Sequence, residues 1–149
     1  MKDIALDELI LRKYEIPSKE NERELVRKFC LSLGLLQEGD SRDIIVDILF
    51  VLLKARKEKK FMESEEIARE VEKLRKTFNL EAKGISESNI RRQLKRLRDI
   101  MIVDKIKNGY RIKEFDCLFN TTSRLFEIKL TQISERIKEY AKVIDEIIK

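Results

Sequence analysis

Residues 86–115 read SESNIRRQLKRLRDIMIVDKIKNGYRIKEF, and the fold turns on how this stretch is divided. Ser86 suits a helix N-cap, and Ile90, Leu94, Leu97 and Met101 fall in a narrow arc at about 100° per residue, so that arc should face a core. Ser88, Arg92, Lys95 and Asp99 lie opposite, with Asn89, Arg91, Arg96 and Arg98 on the flanks, which makes the outer face strongly cationic. After this helix, Ile100, Ile102 and Ile106 alternate loosely with polar residues. Asn108-Gly109 matches a type I′ two-residue turn, and Tyr110, Ile112 and Phe115 mark a returning strand. Lys105, Lys107, Arg111 and Lys113 decorate the hairpin. A two-stranded hairpin is marginal alone, so it must lean on helices.

The residues before it supply those helices. Ile44, Ile45, Ile48, Leu49, Val51, Leu52 and Leu53 cover more than half of a helix circumference, which predicts a buried central helix from Ser41 onward. A further helix starts near Ser64 with Ile67, Val71, Leu74 and Phe78 on one face, and Asn79 to Gly84 supplies a turn. Upstream, Ile4, Leu6, Leu9, Ile10 and Leu11 predict a short helix ended by Ile16-Pro17-Ser18. A second helix is expected from about Glu20 to Leu36. Downstream, Phe126, Leu130, Ile133, Ile137, Tyr140, Ile144 and Ile147 are spaced 4, 3, 4, 3, 4, 3, a coiled-coil seam over about three heptads. A helix this long has more apolar surface than a small domain readily covers, which favours pairing between two chains over packing within one. The chain therefore divides into N-terminal helices (1–40), a central domain (41–115) and a C-terminal dimerisation helix (116–149).

Charge follows the same division. Lys and Arg against Asp and Glu number 7 and 9 in residues 1–40, 20 and 13 in 41–115, and 6 and 6 in 116–149. The middle segment thus carries +7 against −2 and 0 for its neighbours, so the whole surplus of the chain lies there, which points to a polyanion-binding face. With 41% charged residues, 4 Gly and 1 Pro, the 149-residue chain should be mainly α with a small β-hairpin. The lack of His and Trp beside abundant Lys, Glu, Arg and Ile resembles the composition of proteins from hot environments, many of them archaeal. Cys30 and Cys117 have neither zinc-site nor disulfide spacing and read as free thiols in a reducing cytoplasm. No apolar run reaches membrane-spanning length, and the acids in MKDIALDELILRK argue against a signal peptide.

Catalytic patterns are weak. The absence of His removes the commonest general base. Asp116 with Glu127-Ile128-Lys129 has the loose spacing of metal-dependent nucleases, but Glu127 and Lys129 fall inside a helical heptad where residues two apart diverge. Glu63, Glu65 and Glu66 are better explained as first-turn acids complementing a helix dipole. No catalytic residue, cofactor, metal or membrane partner is expected.

Residues 41–115 resemble the winged helix-turn-helix domains of archaeal and bacterial transcription regulators. SESNIRRQLKRLRD stands in the place of the recognition helix and DKIKNGYRIKEF in that of the wing. The flanking helices are similar to the layout of dimeric MarR and PadR regulators. The resemblance implies a homodimer that binds double-stranded DNA sequence-specifically. Ser86, Ser88, Asn89, Arg91, Arg92, Lys95 and Arg96 would provide the helix contacts, and Lys105, Lys107, Asn108, Arg111 and Lys113 those of the hairpin. Two alternatives stay open: a protein-interaction module on the same scaffold, and a DNA binder of low specificity.

Overall fold

The computed structural model describes residues 2–18 and 21–149. Its elements run α1 (Glu22–Ser32), α2 (Ile44–Arg56), α3 (Ser64–Thr77), α4 (Glu87–Asp99), β1 (Val103–Ile106), β2 (Gly109–Ile112), α5 (Leu118–Leu125) and α6 (Thr131–Ile147). The architecture is mainly helical with a small antiparallel hairpin.

The centre is α2, where every residue from Ile44 to Leu52 is buried. Helices α1, α3 and α4 and strand β2 all pack on it, which is why this one segment is apolar around its circumference. Helix α4 contributes Ile90, Leu94 and Leu97 to the core, α3 contributes Ile67 and Val71, and the hairpin contributes Val103, Tyr110 and Ile112. Each of α1 to α4 closes with the same backbone device. The N–H groups of a left-handed residue and of the residue after it donate back into the last turn, as in Leu35 N to Cys30 O at 2.9 Å and Ile102 N to Leu97 O at 3.0 Å. The residue in the left-handed position is Gly34, Lys59, Asn79 and Met101 in turn. Met101 is thus half-buried at the cap rather than part of the α4 core arc, which ends at Leu97. Likewise α1 stops at Ser32 instead of Leu36, because Gly34 (φ +68°) turns the chain; the expected start at Glu20 lies outside the described residues.

The N-terminal stretch corrects a second expectation. Residues 2–18 form no helix but an extended strap across the end of α1. Arg12 N–H donates to Ser32 O at 2.9 Å, Tyr14 Oη donates to Glu38 Oε1 at 2.8 Å, and Lys28 pairs with Glu15. A helix of about two turns is marginal without a packed face. The extended chain instead reaches far enough to set both Leu9 and Tyr14 against the core.

Strand β1 pairs with β2 in the register Val103↔Ile112, Asp104↔Arg111, Lys105↔Tyr110 and Ile106↔Gly109. Met62, just before α3, exchanges two hydrogen bonds with Tyr110 at 2.9 and 2.8 Å, which ties the hairpin to the helices. The turn is centred on Lys107-Asn108, one residue earlier than expected, and positive φ falls on Lys107 (56°), as at the first central position of a type II′ turn. Gly109 serves a different purpose: a Cβ there would lie 2.9 Å from the Cβ of Phe61. Gly109→Ala is expected to cost about 1–3 kcal/mol through this overlap, read as a lower urea midpoint. An unchanged midpoint would show that Phe61 moves aside freely.

The C-terminal helix forms but is not uniform. Between α5 and α6 the backbone passes through a π-helical turn, Phe126–Leu130, after Thr121, Thr122 and Ser123 have each bonded their hydroxyls to the carbonyl four residues back. Phe126 packs against the chain's own core, which removes it from the uncovered part of the expected seam. From Thr131 onward no residue of α6 is buried.

Candidate nucleic-acid interface

Helix α4 owes its position to contacts at both ends. Ser86 Oγ accepts from Asn89 N–H at 3.3 Å, and the Asn89 side chain donates to Gly84 O at 2.7 Å, which fixes the entry to the helix. Near the exit, Arg96 donates to Leu35 O and Gln93 Oε1, both at 2.8 Å, and so fastens α4 to the loop after α1. Of the apolar arc predicted from spacing, Ile90, Leu94 and Leu97 are buried, and the opposite face points to solvent.

The twelve sequence-selected residues separate into two groups. Ser88, Arg91, Arg92, Lys95, Lys105, Lys107 and Asn108 are exposed. Arg91 pairs with Glu87 at 2.8 Å and Lys95 with Asp99 at 3.0 Å, while Arg92 makes no ion pair among the described residues. Exposed helical pairs of this spacing contribute only about 0.3–0.5 kcal/mol each, so a phosphate can displace them. Lys105 leans over the Tyr110 ring at 5.3 Å, and Lys107 and Asn108 form the hairpin tip.

The other group is already occupied. Ser86 and Asn89 cap the helix, and Arg96 holds the loop after α1. Arg111 is clasped by Asp104 at 2.7 Å and lies against the edge-to-face pair of Phe61 and Phe115, 4.9 and 4.7 Å from their ring centroids, an arrangement that braces the hairpin. Lys113 differs: it is half-buried at the turn after β2, where Glu114 and Phe115 take positive φ, and its side chain makes no ion pair among the described residues. Arg98, exposed and without an ion pair among the described residues, belongs with the first group; its place beside Arg91 on the helical wheel is the signal for it.

Other titratable groups serve the fold. Asp116 is held below the ordinary carboxylate value, first by the Cys117 N–H and then by the Asn120 amide, which marks it as a brace for the start of α5. Lys129 is engaged by Asp7 of the N-terminal strap at 3.0 Å. Among the described residues no group of three acidic or cysteine side chains is arranged to hold a metal ion. Burial pushes the Cys30 thiol up to about 12, away from reactivity at neutral pH. No described helix is long and apolar enough to cross a membrane.

Comparison of the chain with protein-family models, curated proteins and solved structures finds no match. Function is therefore argued from the geometry of the site.

Proposed function

We propose that the chain is a winged helix-turn-helix protein that binds double-stranded DNA as a homodimer and regulates transcription, with α4 in the major groove and the hairpin as wing. The observation that carries this reading is the pairing of a buried apolar arc with an exposed Ser88–Arg92–Lys95 face on one helix, followed at once by a basic hairpin. Support also comes from the order of parts: central helix, the bridging residue Met62, two further helices, then two strands. On this reading binding energy comes mainly from neutralising phosphates, Arg92 among the cations that do so, and Ser88 and Lys95 are the candidates for base edges.

Arg92→Ala and Lys95→Ala are each expected to weaken duplex binding by about 1–3 kcal/mol in a low-salt anisotropy titration. Unchanged affinity in both variants removes this face from the interface. Enrichment of a palindrome from random duplexes, against bulk DNA as competitor, distinguishes a sequence-specific dimer from a binder of low specificity.

A further inference from the structure

The major groove has a phosphate strand along each wall, so a helix seated in it meets one strand on each flank. The two flanks of α4 differ in charge. Toward the hairpin, Arg91 and Lys105 share a groove with Glu63 and Glu65, two bases against two acids, and Arg91 already faces Glu87. On the far side a cleft of about 600 Å³ opens between the residues leading into α2 and the α3–α4 turn. Arg42, Lys83 and Arg92 stand around this cleft against a single acid, Glu81.

This excess is available to a ligand. Arg42 and Arg92 make no ion pair among the described residues, and both are exposed. Lys83 meets Glu81 at 3.0 Å, but the two side chains are 85% and 74% exposed, so the pair is weak and screened by salt. The backbone beneath is pinned. Arg75 Nε donates to Glu81 O at 2.5 Å, Asn89 donates to Gly84 O, and Gln93 donates to Asn89 Oδ1 at 3.1 Å. Arg75 itself is neutralised by Asp43 and Asp47, which leaves the three exposed cations as the source of the field.

We propose that this cleft holds the phosphate backbone of one DNA strand through Arg42, Lys83 and Arg92, while Lys105 and Lys107 meet the other strand. The assignment rests on the DNA-binding reading and adds Arg42 and Lys83, which lie outside the helix and hairpin that suggested it. A contact to phosphate carries no sequence information and adds about 0.9 to the slope of log affinity against log salt.

The test is a salt series of anisotropy titrations with the full chain and two unrelated duplexes of about three helical turns. The Arg42→Ala/Lys83→Ala double variant should flatten the slope by about 1.8, equally for both duplexes. Lys105→Ala/Lys107→Ala should flatten it separately, and the two effects should add. A steep, unaltered slope in the first variant overturns the cleft and leaves DNA binding standing. Flattening on only one duplex also overturns it, because that is the mark of base reading. Failure of the unaltered protein to retain either duplex at low salt overturns both the cleft and the DNA-binding reading.

Discussion

Asp47→Ala is expected to cost the fold about 3–5 kcal/mol, the range found when one partner is removed from a buried ion pair. Asp47 is fully buried within the apolar run of α2. It accepts from Arg23 Nε at 2.9 Å and Arg23 Nη2 at 3.0 Å on the α1 side, and from Arg75 Nη1 at 2.6 Å on the α3 side. Asp43 joins the cluster through Arg23 at 3.1 Å and Arg75 at 3.0 Å. Two arginines and two aspartates make a neutral set, so alanine at 47 strands one positive charge in a region where the Arg side chains are 9% and 5% exposed. Asp43 is 12% exposed, so Asp43→Ala should cost less. Urea unfolding at fixed protein concentration measures both, and a loss below about 1 kcal/mol for Asp47→Ala would show that water reaches the cluster.

The cluster also has a pH signature. Burial opposes ionisation of Asp43, but the hydrogen bonds from Arg23 and Arg75 prevail and hold it below its ordinary value of 3.8. A depressed carboxyl contributes fully above the unfolded-state value, and its contribution is lost as pH falls through the folded value. Its effect is therefore constant at neutral pH and disappears only in acid below the ordinary carboxylate range. Because Arg75 also holds the carbonyl of Glu81, loosening this cluster disturbs the turn that presents α4.

The parts of this arrangement that can be read from spacing are those set by one dominant contact. The core arc of α4 and the all-round apolar character of α2 are of this kind, since each follows from burial against the same centre. The strap at residues 2–18 reads as helix in sequence because its apolar spacing is too short to distinguish a packed face from an extended chain docking Leu9 and Tyr14. The turn slipped by one residue for a spatial reason. Asn108-Gly109 is a strong local signal, but Gly109 is required by Phe61, some fifty positions away. The buried charges left one trace, a lone Asp47 in an apolar run, whose partners lie on two other helices. Arg96 and Arg111 look like free cations in sequence, and their engagement with Leu35 and Asp104 depends on tertiary contacts.

Ile137→Glu/Ile144→Glu is expected to convert a dimer into a monomer. Helix α6 has 17 residues, about 26 Å of helix, and buries none of them. Ile137, Tyr140, Ile144 and Ile147 are 63%, 69%, 51% and 75% exposed along one seam, with Val143 and Ile148 beside it. Burying such side chains fully stabilises by about 1.5–3 kcal/mol each, so leaving the four largely in water forgoes an amount comparable to a small domain's typical margin. A second copy offers the same seam, and the uncovered residues repeat at the heptad spacing a helix pair requires. Light scattering should give twice the 17.8 kDa chain mass for the unaltered protein and one chain mass for the double variant. The change should also reach the DNA. On the proposed DNA-binding reading, two α4 helices about 34 Å apart would engage both halves of a palindrome, and separating them should remove an avidity of about 10²–10⁴ while leaving half-site binding intact. A monomeric unaltered protein at micromolar concentration, or a dimeric double variant, would place the contact between chains elsewhere or remove it. Loss of half-site binding in a folded monomer would instead mean that α6 positions α4 within one chain.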